Sequence, residues 1–303
     1  MQYRDRTGKE IRGNDGQDRV LNRLYGSKLG RVLVKGLAQP WVSRLGGAVL
    51  NSRLSALFVP KFARKHGICG DDYPTMEYPS YNAFFCRKIL PEKRPIAREA
   101  NILISPCDGK LRYVPLGEGT TFTVKHTQYT LESLTKNPAI AEAFMGGTLL
   151  IFRLTVDDYH RYCYIADGTK TENTHIQGIF HSVNPAAEAA FPLYKENTRE
   201  YCLLHTQEFG QVLMMEVGAM LVGKIQNLHG AGSVTRGQEK GHFEFGGSTV
   251  ILCLQKDKIR MDGDIVRNSS EGIETLVRMG EAIGTALCTQ TQPAPKKEEC
   301  LAC

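Results

Sequence analysis

Residues 241–254 read Gly-His-Phe-Glu-Phe-Gly-Gly-Ser-Thr-Val-Ile-Leu-Cys-Leu, and no other stretch constrains the fold as much. Phe243 and Phe245 alternate with polar neighbours, the period of a half-buried strand. Val250, Ile251, Leu252 and Leu254 form a second apolar run that suits a buried strand. Gly246, Gly247 and Ser248 stand between the runs, where glycine permits backbone angles that other residues disfavour. Two readings follow. One is a plain hairpin or bulge between strands. The other is a strained Gly247-Ser248 peptide that the Ser248 hydroxyl attacks. The linkage then becomes an ester, and elimination leaves residue 248 as a carbonyl-bearing N-terminus. That chemistry needs a small residue before the serine, a distorted peptide and a base.

The chain has 303 residues, 42% hydrophobic and 23% charged, which fits a globular protein of one or two domains. The N-terminus is polar and charged, without the pattern of a signal peptide. The nine cysteines are therefore read as mostly reduced thiols in a cytoplasmic protein. Only Cys300 and Cys303 are closely spaced, and one such pair lacks the second pair of a structural zinc site, so no metal is expected. The net charge of +6 is unevenly spread: residues 1–70 hold 14 Lys+Arg against 4 Asp+Glu. A basic segment of this kind points to an anionic surface, phospholipid or nucleic acid. No nucleic-acid motif accompanies it, so nucleic acid is not expected as a partner.

Within that segment, Leu21, Leu24, Tyr25, Leu29, Val32, Leu33 and Leu37 recur at helical spacing. Pro40 interrupts. A second helical pattern uses Trp41, Leu45, Val49, Leu54, Leu57 and Phe58, and Pro60 ends it. Arg31, Lys35, Arg44 and Arg53 divide the apolar run well short of the roughly 18–20 residues that cross a bilayer. Residues 1–70 thus read as a basic, amphipathic helical segment that associates with a membrane. An ordinary helical pair with a solvated basic face is the plainer alternative.

Residues 71–289 read as a β-rich catalytic domain, after a short helix at Tyr81–Phe85. Thr148–Leu154 is a strong strand, and further strands are expected near 102–105, 111–114, 122–125, 174–184, 200–206, 211–217, 220–226 and 258–261. Helices are expected over 131–145 and, as an amphipathic C-terminal helix, over 272–287. The tail 290–303 reads as disordered. The fold class is α+β: N-terminal amphipathic helices on a largely antiparallel β core, with a C-terminal helix.

Two further residues stand where chemistry is plausible. Asp108 precedes Gly109 at a strand-to-turn junction, where a turn aspartate and a site carboxylate are both reasonable. His160 follows the strong strand, in the polar cluster Asp157-Asp-Tyr-His-Arg161. With Ser105-Pro-Cys-Asp-Gly109, Asp158-Tyr-His-Arg161, Phe209-Gly210, Val217-Gly-Ala219, Val222-Gly223 and Lys240-Gly-His-Phe-Glu-Phe-Gly-Gly-Ser-Thr249 in this order, the chain resembles the phosphatidylserine decarboxylases over roughly residues 80–260.

The resemblance implies a proenzyme that cuts itself between Gly247 and Ser248 into a β chain, 1–247, and an α chain, 248–303. Ser248 becomes a covalent pyruvoyl cofactor. This group forms a Schiff base with the amine of phosphatidylserine and takes up electrons as CO2 leaves, giving phosphatidylethanolamine. It also implies a relay in which Asp108 is the aspartate and Ser248 the nucleophile. The bacterial pattern carries two histidines, Tyr-His-Arg-Val-His, and here the first is His160 while the second position holds Cys163. His160 is the favoured base and acid, since a neutral imidazole can take the serine proton and later donate one. Cys163 stays open as an alternative, although an unperturbed thiol is largely protonated at neutral pH. The implied partner is an anionic phospholipid membrane, at whose cytoplasmic face the protein would be peripheral. A homodimer is left open. A decarboxylase of a soluble amino acid and an uncleaved lipid-binding protein are the competing functions.

Overall fold

The computed structural model describes residues 2–12, 40–124, 127–178, 197–218, 224–244 and 248–287. The helical pattern from Leu21 to Leu37, the tail 290–303 with Cys300 and Cys303, Gly246 and Gly247, and parts of the strands expected near 174–184 and 220–226 lie outside these residues.

Among the described residues the fold is α+β, with largely antiparallel sheets and short helices. The main sheet has eleven strands among the described residues. At its centre Ser248–Leu254 lies between Gly210–Val217 and Thr148–Leu154, antiparallel to both. Gly109–Pro115 pairs with the far edge of Thr148–Leu154. The run of apolar residues from 250 to 254 has a direct cause: this strand is covered on both faces. Even-numbered side chains, Val250, Leu252 and Leu254, join one core with Phe152, Leu154, Met214, Tyr162, Cys163 and Phe243. Odd-numbered ones, Ile251 and Cys253, join a second core with Leu149, Leu213, Leu131 and Phe144.

The two runs of residues 241–254 do not form a hairpin. Glu239–Phe243 pairs with Ile225–Asn227 and Arg161–Cys163 in a separate three-stranded sheet, while Ser248–Leu254 belongs to the main one. The chain changes sheets between Phe243 and Ser248. Gly241 is needed just before this point, because a Cβ there would lie 2.2 Å from the Gln226 carbonyl oxygen and 2.7 Å from the Tyr162 hydroxyl.

Several local expectations shift. The C-terminal helix is Gly263–Ser270, and residues 272–287 instead hold the strands Glu274–Val277 and Ala282–Ala286. Their apolar residues suited either period, and pairing with Gly109–Pro115 and with Ile259–Met261 selected strands. Pro40 opens the helix Pro40–Asn51, and Pro60 sits in the first turn of Val59–Lys65. Proline lacks an N–H, and the first turn does not use one. The expected helix over 131–145 is two short helices, Leu131–Thr135 and Pro138–Ala143, broken where Lys136 takes a left-handed conformation.

A buried ion pair links the two sheets. Lys240 Nζ donates to Glu216 Oε2 at 2.6 Å and to Asn227 Oδ1 at 2.8 Å, and both charged side chains are fully buried. Glu216 Oε1 has no hydrogen-bond partner. Breaking such a pair strands a charge, whereas replacing both partners with apolar groups is often neutral. Glu216→Leu is therefore expected to cost about 3–5 kcal/mol, and Glu216→Leu with Lys240→Met far less. Urea denaturation of the single and double variants checks this, and equal losses would contradict it.

Candidate active site

The register of the main sheet sets one row of residues. Ser248 is paired with Leu154, and Lys110 with Arg153, so Gly109, Leu154 and Ser248 lie side by side on adjacent strands. Gly109 fits because a Cβ there would meet the Arg153 carbonyl oxygen at 3.0 Å. Asp108 therefore stands one residue beyond the row. Ser248 is 1% exposed, and strand alternation turns it towards the core that holds Tyr162, Cys163 and Phe243.

The turn Ser105–Asp108 is tied on two sides. Pro106 O accepts from Cys163 N at 2.8 Å, and Ser105 exchanges main-chain bonds with Gly280 and Glu281 at 2.9 and 2.8 Å. The Asp108 carboxylate is held by Arg94, whose Nε donates to Oδ1 at 2.7 Å, and by Met279 N at 2.9 Å. Its direct ion partner is thus Arg94, not His160. Arg94 was not among the residues singled out as functional in the sequence, because nothing local signals a partner fourteen positions away.

His160 is brought towards Ser248 from two directions. It ends the segment that follows Leu154, the partner of Ser248, and its carbonyl accepts from Phe243 N at 3.0 Å, five residues before Ser248. The intervening turn is closed by Asp158, which accepts from Thr155 N at 2.6 Å and from Lys110 Nζ at 2.7 and 2.9 Å. The His160 ring lies against Phe85, with centroids 3.8 Å apart. Neither ring nitrogen has a well-formed hydrogen bond among the described residues, and the Asp158 main chain and the Asp157 charge favour the charged ring. Burial, reinforced by the nearby Arg87 charge, lowers the His160 pKa to about 3. The imidazole is neutral at physiological pH and able to receive a proton. Burial pushes the Cys163 thiol up to about 12, which leaves it protonated and poor as a base.

A buried serine, a neutral histidine and a buried carboxylate thus sit on segments that meet the same end of the central sheet. Sequence comparison supplies the family. The phosphatidylserine decarboxylase profile matches residues 81–285. Phosphatidylserine decarboxylase proenzyme 2 of Clostridium acetobutylicum is 41% identical over 265 residues, covering 87% of this chain and 91% of that protein. The proenzyme of Clostridium novyi is 42% identical over 276 residues, covering 89% and 94%. The chain belongs to the phosphatidylserine decarboxylase family.

The depressed His160 pKa has a thermodynamic consequence. An unfolded histidine titrates near 6.5, so as pH falls the unfolded chain binds this proton first. Stability tied to His160 is complete above about 6.5 and is lost as pH falls towards the folded value of about 3. Denaturation midpoints measured at about pH 7 and about pH 5 should fall less for His160→Phe than for the parent protein. An equal fall would show that the ring is not held neutral.

Proposed function

We propose that the chain cuts itself between Gly247 and Ser248, and that the processed protein converts phosphatidylserine to phosphatidylethanolamine and CO2. The observation that carries this reading is the position of Ser248 at the first residue of a fully buried strand, hydrogen-bonded on both edges to strands of the N-terminal portion. A cut before Ser248 leaves its new terminus anchored at the end of the sheet. His160 takes the Ser248 hydroxyl proton as the hydroxyl attacks the Gly247 carbonyl and passes it to the Ser248 nitrogen as the peptide C–N bond breaks; elimination of the ester frees the Gly247 carboxylate, and hydrolysis of the resulting residue 248 enamine consumes water, releases ammonia and leaves a carbonyl. The pyruvoyl group derived from Ser248 supplies the carbonyl that binds the substrate amine and draws electrons as CO2 departs. His160 then returns a proton to the substrate carbon. Asp108, oriented by Arg94, is the carboxylate we assign to support the positive charge that His160 gains in both steps.

The same reading gives the helical segment a role. Val49, Leu54, Leu57 and Phe58 are 58%, 75%, 77% and 65% exposed. Exposed Arg53, Lys61, Arg64 and Lys65 flank them. Apolar side chains ringed by cations match an anionic bilayer surface, which basic residues approach with about 1 kcal/mol each. No helix among the described residues is long and apolar enough to cross a membrane. We read the protein as peripheral, at the cytoplasmic face.

Intact mass spectrometry with and without hydroxylamine tests the cut: two chains are expected, the smaller beginning at a carbonyl-bearing residue 248. A single full-length chain in active protein would reject the mechanism. His160→Ala should stop processing while Cys163→Ala permits it, and the reverse pattern would reassign the base to the thiol. Leu57→Glu with Phe58→Glu should release the protein from anionic vesicles in a flotation assay. Undiminished binding would exclude this patch as the anchor.

A further inference from the structure

Arg87 follows the Tyr81–Phe85 helix and is 2% exposed, yet it forms no ion pair among the described residues. Its Nη1 reaches Phe84 O at 3.3 Å, and its Nη2 reaches Asp157 O and Asp158 O at 3.4 Å each, all long contacts. Its buried Nε has no acceptor. The other buried cations are better served. Lys240 pairs with Glu216 and Lys110 with Asp158, while Arg199 holds the Leu134, Ser133 and Asn197 carbonyls at 2.6–3.0 Å. The Arg87 guanidinium instead sits between the rings of Tyr73 and Phe84, 4.9 and 4.7 Å from their centroids. Burying a charge in this way is costly unless an opposite charge joins it.

The location narrows which charge that is. Asp157 and Asp158, whose carbonyls Arg87 touches, immediately precede Tyr159-His160, and Phe85, two residues before Arg87, packs on the His160 ring. On the other side, Phe84 belongs to the Val59–Ala63–Tyr81 cluster, part of the helical layer that carries the exposed apolar patch. Arg161 fastens the junction by donating to Cys86 O at 2.6 Å and to Arg87 O at 3.2 Å. Arg87 therefore stands between the layer read as membrane-facing and the proton-transfer residue.

We propose that Arg87 binds the phosphodiester oxyanion of the lipid substrate, an inference that rests on the function proposed above. The substrate brings two anions. The carboxylate loses its charge as CO2 leaves, so a cation fixed on it would stabilise the ground state more than the transition state. The phosphodiester keeps its charge throughout, and the guanidinium fork matches its geometry. An anion at Arg87 also weakens the positive field on His160, on which Lys110 acts in the same sense as Arg87 and Asp157 in the opposite one. The ring then accepts the proton it must deliver more readily in the complex than in the free enzyme.

The test uses processed protein and phosphatidylserine in mixed micelles. Arg87→Gln, checked by mass for two chains, should raise KM by about 10–100-fold with a smaller change in kcat. Arg87→Lys, which keeps the charge but loses the fork, should fall between. Glycerophosphoethanolamine carries the phosphodiester without the carboxylate, so it should inhibit the parent enzyme and lose potency against Arg87→Gln. Inorganic phosphate of equal potency would overturn the assignment to the lipid headgroup. So would a processed Arg87→Gln enzyme whose KM stays within about twofold of the parent. If neither variant folds, a crystal structure of the parent with glycerophosphoethanolamine decides, and a phosphate bound away from Arg87 overturns the proposal. A processed parent that releases no CO2 from phosphatidylserine rejects the function itself, a result separate from any of these.

Discussion

The strand Ser248–Leu254 is hydrogen-bonded on one edge to Gly210–Val217 and on the other to Thr148–Leu154, and all seven of its residues are buried. That double pairing sets the register of the main sheet at the site. It puts Ser248 beside Leu154 and Leu154 beside Gly109, so the turn bearing Asp108 and the segment leading to His160 leave the sheet at the same end. It also permits the proposed cut. A strand held on both edges and covered on both faces does not depend on the peptide bond before it, and the Glu239–Phe243 strand on the other side of the bond has a sheet of its own.

The electrostatics of the site follow from the same enclosure. Water is excluded from His160 and Cys163, so each takes its uncharged form, but with opposite consequences: the imidazole can receive a proton and the thiol must first lose one. The position that carries a histidine in the familiar bacterial pattern is thus occupied by a group that burial disarms. Asp108 is directed by Arg94 and by the main chain of Met279, a residue from beyond Ser248. The carboxylate therefore joins the two portions of the chain on either side of the proposed cut.

Much of this was legible from residue patterns, and the exceptions have physical causes. The Thr148–Leu154 and Gly210–Val217 strands matched their apolar runs almost to the residue, because a strand covered on both faces draws most of its residues from apolar types. Residues 272–287 misled because Ile273, Leu276, Val277 and Ile283 fit a helical stripe as well as short strands, and only sheet partners distinguish the two. Of the site, Asp108, His160 and Ser248 stood out through their motifs. Arg94, Arg87 and the Lys110–Asp158 pair did not, since an arginine or lysine in a loop looks the same in sequence whether it is solvated or enclosed.

The sequence by itself determined the family, the α+β class, the serine at 248 with its glycine neighbours, and the departure at Cys163. These depend on residue identity and order, which a linear chain displays in full. Only the tertiary structure decided that residues 239–243 and 248–254 lie in different sheets, that Asp108 answers to Arg94, and that Arg87 is buried beside His160 without a carboxylate. Those outcomes depend on which distant segments share a register and which charges lose their water, and both are settled by packing across the whole chain.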